Sequence, residues 1–560
     1  MQQPLCEMER TRLMIAKNQS YEVRIEDLTL EGSGVCRIEG FAVFVPMTAP
    51  GDVARIKIVK VLKSYGFGIL EELMEPSPDR GTDPCGGCGV FRRCGGCAFR
   101  HITYEAELRL KDKAVRDAFR RLGRFSVDPL PILGAAETGG YRNKAQYPLT
   151  VAAGGDILAG FYARNSHRVI PAEDCPLQPP VFGRILKVIL EFLREHRLPV
   201  YREESGQGIY RHVYLRQAPS TGKILVCMVA VKRRPPRIQE LAQRLAQGFP
   251  EIAGVCVNVN PDRTNVILGK RYELVWGSME LKDTLLGVEL AVSPAAFYQV
   301  NKAQAERLYQ LAFGFAEFRG DEHLLDLYCG IGSIGLSAYG QIGRLTGVEV
   351  VPEAVENARE NARKNGMDRA EFFCADASGA AKRLASEGLR PDVILVDPPR
   401  KGCGPEVLDA IAEMAPEKVI MISCNPSTAA RDCRILCEKG YALKKYQGVD
   451  LFPRTGHVET VVLLSKGEVD SKKIRVEFSL EDMDMSEFQA GATYPQIKEY
   501  VLEHTGLKVS NLYISQIKRK CGIEVGKNYN LPKSEDSRQP QCPPEKEKAI
   551  REAFKYFGMI

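Results

Sequence analysis

The sequence lacks any apolar run that approaches the roughly 20 residues of a membrane span, and residues 1–20 contain no apolar segment of the kind found in secretory signals. Cysteine is also sparse: 17 of 560 residues, far below the density of disulfide-linked scaffolds. An odd cysteine total without an export signal favours a reducing compartment. We therefore expect a cytoplasmic protein that makes no contact with a membrane.

An excess of charge of one sign is nearly absent as well. The chain has 77 Lys and Arg against 71 Asp and Glu, a net charge of +6, which permits a nucleic-acid partner but does not require one. The 44% hydrophobic and 26% charged residues exclude collagen-like and wholly disordered chains. The length predicts three or four domains, and we expect a monomer.

Residues 12–76 contain short runs of alternating apolar and polar residues, punctuated by glycine and proline. Five short strands at this spacing predict a small OB-like barrel, although a generic β module fits the pattern equally well. Residues 77–296 then mix strands and helices, typical of an α+β domain. A predicted helix at 104–124 carries basic residues: Arg109, Lys111, Lys113, Arg116, Arg120 and Arg121. They form either a solvated face or a face that follows RNA phosphates, and the helix is a candidate to pack on the next domain.

Residues 297–466 alternate amphipathic helices with apolar strands, which predicts an α/β domain with a doubly wound sheet, parallel at its centre. Residues 467–490 are charged and repetitive and are interpreted as a linker. Residues 491–560 predict an accessory module with two helices around a turn, which either contacts RNA or serves for packing.

A glycine-rich motif in the α/β domain indicates a nucleotide site. Residues 326–335, DLYCGIGSIG, place G-x-G-x-x-G between a strand and a helix, where backbone N–H groups are free to meet a ligand. Glu349 ends the next strand and can accept hydrogen bonds from ribose hydroxyls. NAD and S-adenosylmethionine sites share these features. Asp376 and Asp397, each at a strand end, favour S-adenosylmethionine, although a tight turn capped by Asp397 is also compatible with the pattern.

Two further side chains follow or begin apolar strands. Cys424 comes directly after the strand VIMIS and before Asn-Pro, and Glu459 stands at the start of TVVLLS. Each taken alone is more typical of a core residue than of a catalytic one. Their shared placement at the edge of the sheet favours a nucleophile with a general base, which is the pair needed to activate carbon 5 of a uracil.

The densest cysteine cluster has the spacing C-x2-C-x5-C-x2-C, formed by Cys85, Cys88, Cys94 and Cys97. Four local thiolates suit a closed zinc site and an iron–sulfur cluster about equally well.

Taken together, the chain resembles the bacterial RNA uracil-5-methyltransferases, and most closely those that act on 23S rRNA. The motifs that carry the resemblance are CGVFRRCGGC (88–97), EDCPLQ (173–178), SPAAFYQVN (293–301), DLYCGIGSIGL (326–336), DPPRKG (397–402), SCNP (423–426) and GHVET (456–460). It covers about residues 15–465 and implies a TRAM-type barrel, a central domain with a [4Fe–4S] cluster, and a Rossmann-like class I methyltransferase domain.

The resemblance also implies roles for individual residues. Cys424 matches the nucleophile and Glu459 the base. The positions that hold S-adenosylmethionine in the family correspond to Gln299, Tyr328, Glu349, Asp376 and Asp397. Those that bind the cluster correspond to Cys88, Cys94, Cys97 and Cys175, and zinc with Cys85 as fourth ligand is the alternative.

The implied partner is 23S rRNA, with the basic helix and the barrel holding the RNA. The alternatives are a tRNA uracil-5-methyltransferase, whose family members typically lack the barrel and the cysteines, and a non-catalytic RNA-binding iron–sulfur protein. An amino methyltransferase is disfavoured, since those enzymes have an aromatic residue where Arg400 follows Asp-Pro-Pro.

Overall fold

The computed structural model describes residues 15–82, 87–467, 494–521, 523, 541–556 and 559. Cys85 and almost all of the predicted linker at 467–490 lie outside these residues. The chain divides into two compact units, Met1–Asp470 and Ser471–Ile560. Within the described residues, no helix combines the length and the apolar character needed to cross a bilayer.

The first unit begins with a β-barrel. Its strands are β1 (Ser20–Arg24), β2 (Asp27–Leu28), β3 (Ser33–Ile38), β4 (Phe41–Pro46), β5 (Val53–Val61) and β6 (Tyr65–Glu75), in the sheet order β1-β5-β6-β4-β3-β2. Alternate residues of β4 and β5, such as Val43, Val45, Ile56 and Ile58, are fully buried in the barrel core. The apolar residues of the predicted alternation therefore face the inside of the barrel, and the polar residues face the outside. The very short β2 brings the number of strands to six, one more than predicted.

An α+β region follows. Its elements are α1 (Tyr104–Arg121), β7 (Leu130–Leu133), β8 (Lys144–Val151), β9 (Ile157–Tyr162), β10 (Val169–Pro171), α2 (Pro180–Glu195), β11 (Tyr210–Gln217), β12 (Ile224–Ala230), α3 (Ile238–Gly248), β13 (Ile252–Val259), β14 (Arg271–Gly277), β15 (Leu281–Leu285) and β16 (Val288–Val292). Strands β8 to β14 form a sheet in the order β10-β9-β8-β11-β12-β13-β14, and β15 pairs with β16. The apolar faces of α2 and α3 pack on this sheet.

The third region is an α/β sandwich. Its elements are α4 (Lys302–Ala316), β17 (His323–Leu327), α5 (Ser333–Ala338), β18 (Arg344–Glu349), α6 (Pro352–Lys364), β19 (Ala370–Cys374), α7 (Ala377–Ser386), β20 (Val393–Val396), α8 (Pro405–Met414), β21 (Lys418–Ser423), α9 (Pro426–Glu438), β22 (Tyr441–Val449) and β23 (Glu459–Lys466). The sheet order is β19-β18-β17-β20-β21-β23-β22-β7. The strands from β19 to β21 are parallel, whereas β23 is antiparallel to both of its neighbours. The predicted doubly wound α/β fold is confirmed.

Helix α1 packs on β22 and α9, where Phe119 stacks on Tyr446 with ring centroids 4.1 Å apart. The interpretation of its basic residues as one solvated or RNA-facing surface is wrong for Lys111. That side chain is fully buried and bonds Glu107 and Asp450, both at 2.7 Å. Burial is possible because two carboxylates surround the ammonium group.

The second unit contains α10 (Tyr494–Thr505), α11 (Asn511–Lys520) and α12 (Pro544–Tyr556). These helices enclose their own apolar core, with Ile497, Ile514 and Phe554 fully buried. The two helices predicted from the sequence correspond to α10 and α11.

Candidate active site

A cavity of about 1250 Å³ lies at the carboxyl ends of the parallel strands. Open α/β sheets bind their ligands at this edge, where the loops leave the strands. Every residue predicted to bind the methyl donor or to act in catalysis lines this one cavity: Gln299, Tyr328, Glu349, Asp376, Asp397, Cys424 and Glu459. Residues more than 100 positions apart in the sequence are thus gathered around a single space.

The glycine-rich loop begins where β17 ends. Tyr328 adopts a φ of 69°, a left-handed conformation that costs energy for a side chain of this size and is typical of functional loops. A Cβ atom on Gly335 would lie 2.7 Å from Leu345 and 2.9 Å from Asp326. Only glycine therefore lets α5 approach the sheet this closely, which directs the start of the helix toward the cavity.

The Glu349 carboxylate is held by backbone N–H groups. Gly330 donates to Oε2 at 3.1 Å, while Val350 and Val351 donate to Oε1 at 2.9 Å. Asp376 caps the N-terminus of α7 and accepts a hydrogen bond from the Gly379 N–H at 2.9 Å. Both carboxylates are therefore fixed in orientation where two adjacent strands end.

Two more carboxyl groups lie at the same edge, and of these Asp326 is fully buried whereas Asp397 is half-buried. Burial raises the pKa of Asp397 to about 7 and that of Asp326 to about 8. Asp326 Oδ2 accepts a hydrogen bond from the Gly335 N–H at 3.0 Å, and Oδ1 has no hydrogen-bond partner among the described residues. The sequence pattern did not single out Asp326 as a functional residue. Its place on an otherwise apolar strand was the signal that could have identified it.

Cys424 and Glu459 are brought together by the pairing of β21 with β23. Ser423 pairs with Thr460 in this antiparallel ladder. Because antiparallel registers advance in opposite directions, the next position on one strand is Cys424 and on the other Glu459. Adjacent strands lie about 4.8 Å apart, so the thiol and the carboxyl group enter the cavity side by side.

The electrostatics of this pair favour protonated groups in the ligand-free protein. Burial raises the pKa of Glu459 to about 8, with a further contribution from the negative charge of Asp397. Burial also raises the pKa of Cys424, as does the nearby Glu459. The Arg400 guanidinium opposes both shifts because it favours the anionic forms. Both shifts favour the protonated form of these groups at neutral pH.

Three further side chains line the cavity, and the sequence assigned no role to them: Arg400, His457 and Phe297. An Arg400 Nη2 atom lies 3.2 Å from both ring nitrogens of His457, and both side chains line the cavity. Phe297 also lines it, with 67% of its surface exposed. An exposed aromatic ring beside Arg-rich walls is a surface suited to an unstacked base.

The cysteines predicted to bind a metal cluster also come together in space. The pKa of Cys175 is raised to about 11, mainly by burial and further by Cys97 and Cys88. Cys94, in turn, interacts electrostatically with Cys97 and Cys88. Residues separated by about 80 positions in the sequence are therefore close enough to influence each other electrostatically.

Two N–H groups point at these sulfurs. Gly96 N–H donates to Cys94 Sγ and Arg100 Nε donates to Cys97 Sγ, both at 3.4 Å. Within the part of the chain that the structure describes, no group of three or more His, Cys, Asp or Glu side chains is placed to hold a metal ion. Cys85 is outside that part, so its predicted role as the fourth ligand of a zinc ion stays a prediction.

Two known family patterns match the first unit, one near its start and one toward its end. A family pattern described as tRNA (Uracil-5-)-methyltransferase matches residues 220–467, and the TRAM domain pattern matches residues 16–70. The barrel is therefore a TRAM domain, as the resemblance implied.

Related proteins match the chain over most of its length. An uncharacterized RNA methyltransferase of Halalkalibacterium halodurans is 41% identical over 458 residues, which cover 82% of this chain and 99% of the relative. Another, from Clostridium acetobutylicum, is 37% identical over 455 residues and covers 81% of this chain and 98% of the relative. Each of these matches leaves about a fifth of this chain uncovered.

A solved structure is similar to the first unit. The Pyrococcus abyssi tRNA (uracil-54, C5)-methyltransferase in complex with S-adenosyl-L-homocysteine superimposes with a TM-score of 0.63 and 25% identity, covering 79% of this chain and 100% of that one. The Rossmann-like class I fold expected from the sequence is thereby confirmed. The chain belongs to the RNA (uracil-5-)-methyltransferase family, whose methyl donor is S-adenosylmethionine.

Proposed function

We propose that this enzyme methylates carbon 5 of a uridine in 23S rRNA through a covalent bond between Cys424 and the uracil ring. The observation that carries the proposal is the side-by-side entry of Cys424 and Glu459 into the donor cavity, enforced by the Ser423–Thr460 pairing. A nucleophile and a base at this spacing can act on adjacent atoms of one pyrimidine ring.

The chemistry assigns one step to each residue. The Cys424 thiolate adds to carbon 6 of the uracil and forms a C–S bond, and the displaced π electrons make carbon 5 nucleophilic as an enolate. Carbon 5 then takes the methyl group from the sulfonium of S-adenosylmethionine. Glu459 removes the proton from carbon 5, the C5=C6 double bond re-forms, and the C–S bond breaks to release the thiolate.

The methyl donor is proposed to contact Gln299, Tyr328, Glu349, Asp376 and Asp397. Their fit rests on the oriented carboxylates of Glu349 and Asp376 and on the glycine-rich loop, which suit the nucleoside part of the donor. Asp397 stands nearer the reacting groups, since its charge acts on Glu459. A target base stacked in RNA cannot reach this cavity, so we expect it to flip out of the RNA.

For the cysteines, we propose a [4Fe–4S] cluster held by Cys88, Cys94, Cys97 and Cys175. The support is the mutual electrostatic influence of Cys175, Cys97 and Cys88 and the N–H groups that donate to two of the sulfurs, since such donors suit an anionic cluster. Anaerobically purified protein should be brown, with broad absorbance near about 400 nm that Cys175→Ser removes. Colourless protein that contains one zinc per chain would reject the cluster in favour of zinc.

We also propose domain boundaries at residues 76, 296 and 466, a monomeric state and a cytoplasmic location. We propose RNA binding by the TRAM barrel and by the exposed basic residues of α1 other than Lys111.

A tRNA substrate is the second candidate. It is favoured by the family description and by the solved relative, which is a tRNA enzyme. The match to that relative covers 79% of this chain, which is more than the α/β region alone. The presence of regions before residue 297 therefore does not distinguish an rRNA enzyme from a tRNA enzyme. Purified 23S rRNA and tRNA that lack the modification, offered separately with labelled donor, distinguish the two by which one acquires 5-methyluridine.

The covalent step is tested with RNA that contains 5-fluorouridine. Fluorine at carbon 5 cannot leave as a proton, so an adduct that survives denaturation should accumulate when S-adenosylmethionine is present. Cys424→Ala should abolish it. Cys403→Ala, which changes another cysteine of the same cavity, should leave it intact. An adduct that persists in Cys424→Ala would overturn the assignment of the nucleophile.

A further inference from the structure

A second groove, of about 1110 Å³, continues from the active-site cavity toward the barrel. The two spaces share three lining residues, namely Arg400, Cys424 and His457. The sulfur proposed to attack the base is thus exposed to both. A strand that delivers a base to Cys424 can therefore leave the site along this groove.

Three aromatic side chains of the barrel form one wall of the groove. Phe44 on β4 lies opposite Phe67 on β6 in their parallel pairing, and Tyr65 precedes Phe67 by two residues on the same face. Their ring centroids are 5.5 to 6.0 Å apart. They point outward, away from the barrel core that contains Val43 and Val45, and Tyr65 is 38% exposed.

The other wall is the cysteine loop, at residues 95–98. Arg164 ties it to the barrel, since its guanidinium donates to the backbone carbonyls of Glu31 and Cys97, both at 2.6 Å. Because these bonds link the barrel to the loop across the groove, its width is set before any ligand binds. A pre-formed groove loses little conformational entropy on binding.

We propose that the Phe44, Tyr65 and Phe67 rings are a stacking platform for unpaired nucleotides next to the target uridine. The inference rests on the proposed RNA methylation and adds the class of substrate: a single-stranded segment rather than a continuous duplex. Clustered aromatic faces bind bases of any sequence by stacking. Such stacking requires bases whose π faces are not already covered by neighbouring bases in a duplex. Continuity with the cavity at Cys424 makes RNA the occupant, since the strand that holds the flipped base must leave along a connected surface.

The test uses a single-stranded RNA of about 12 nucleotides, with one uridine and 2-aminopurine at each neighbouring position in turn. Stacking of 2-aminopurine on an aromatic side chain quenches its fluorescence. Wild-type enzyme should quench the probe on at least one side of the uridine, and Tyr65→Ala should remove that quenching and weaken binding by about 10-fold. Tyr65→Phe keeps the ring and should restore both.

Ile69→Ala is the matched control. Ile69 is an exposed apolar residue on the outer face of the same strand, 48% accessible, and it does not line the groove. It should change neither quenching nor affinity. A duplex version of the probe should bind more weakly than the single strand and show no quenching that depends on Tyr65.

Failure of this inference is distinct from failure of the proposed function. If wild-type enzyme methylates RNA but Tyr65→Ala retains its affinity and quenching, the platform is rejected and the methylation stands. If neither methylation nor a 5-fluorouridine adduct forms while Tyr65-dependent quenching is observed, the chemistry is rejected and the RNA-binding platform stands.

Discussion

Ser423 pairs with Thr460 at the edge where β21 and β23 meet, and this pairing determines which side chains enter the cavity. A shift of the register by one residue would reverse the face of every side chain on β23. Val461 packs on one face of the sheet, and Val462 and Leu464 pack on the other, so the apolar pattern of this strand does not distinguish the two registers. The pairing of β23 with β21 is therefore what places Glu459 beside Cys424.

Glu459→Gln should separate methyl transfer from product release. The amide cannot take the proton from carbon 5, so the methylated base should stay bonded to Cys424. We expect turnover to fall by about 10²- to 10⁴-fold, the usual contribution of a general base. With ordinary uridine RNA, a denaturation-resistant complex that carries the labelled methyl group should accumulate. Its absence in the double variant with Cys424→Ala is the control, and rapid turnover by Glu459→Gln would assign the base elsewhere.

Arg400→Met should move the pH dependence of methylation to higher pH. Arg400 lowers the pKa of both Glu459 and Cys424 by its positive charge, and both groups must lose a proton to act. Without that charge, both pKa values rise, so the rising limb of the single-turnover rate against pH should shift upward. Arg400→Lys keeps the charge and should shift it less. An unmoved limb in Arg400→Met would mean that neither group limits the rate.

The ligand-free enzyme should lose stability as pH rises. Burial raises the pKa of Asp326 to about 8, of Glu459 to about 8 and of Asp397 to about 7, whereas unfolded carboxyl groups titrate near about 4. At these three groups the folded state binds more protons than the unfolded state. Burial of His101, His212 and His457 lowers the pKa of each to about 4 and acts in the opposite direction below about pH 6.5. The free energy of unfolding should therefore fall with rising pH between about pH 7 and 8, where melting temperatures measure the slope.

Asp326→Asn should flatten that slope, because the amide has no proton to lose in the window. Its Oδ1 atom would keep the acceptor position for the Gly335 N–H. Asp392→Asn is the matched control, since Asp392 is an exposed residue that precedes the next strand. A slope equal to that of the unaltered enzyme in Asp326→Asn would show that this carboxyl group is ionised in the folded protein.

Lys111→Met should be strongly destabilising. The Lys111 ammonium lies between Glu107 and Asp450 and also donates to the Phe452 carbonyl. Removing it leaves buried Asp450 without its cation and Glu107 with only Arg454, whose Nη1 lies 3.6 Å away, at a cost of about 3–5 kcal/mol. Because Asp450 and Phe452 belong to the segment that leads to Glu459, methylation should fall as well. Urea unfolding gives the free energy, and assays below the unfolding transition give the rate.

Lys113→Met provides the comparison on the same helix. Its partner is Asp27, and both side chains are about half exposed, at 50% and 41%. A surface pair of this type contributes about 1 kcal/mol or less. Equal losses of stability in Lys111→Met and Lys113→Met would contradict the central role of the buried ion pair.

Removal of residues 470–560 should leave the first unit folded, because the C-terminal helices have a core of their own. We expect weaker RNA binding and a smaller dependence of affinity on salt, since α11 ends in Lys518, Arg519 and Lys520 and each phosphate contact adds to the salt slope. RNA affinity measured at several salt concentrations tests this. Unchanged affinity and slope would assign the module to packing.

Much of the architecture followed from local pattern. The alternation in residues 12–76 gave the barrel, and the alternating strands and helices after residue 297 gave the parallel sheet, because each period reports which faces are buried. The solvated interpretation of α1 failed at Lys111, since a charged residue on a helix carries no local sign that distant carboxylates will bury it. The groove beside Phe44 and Tyr65 was equally invisible, because its walls come from separate regions of the chain.

The sequence by itself determined the element types and the chemistry-bearing residues: a thiol after one strand, a carboxyl group at the start of another, glycines after a third. Only the tertiary structure decided that Cys424 and Glu459 are neighbours, that Cys175 lies near Cys88 and Cys97, and that the aromatic face of the barrel shares a groove with Cys424. The physical reason is that hydrophobic periodicity acts over a few residues, whereas these relationships depend on strand register and on packing between elements far apart in the chain.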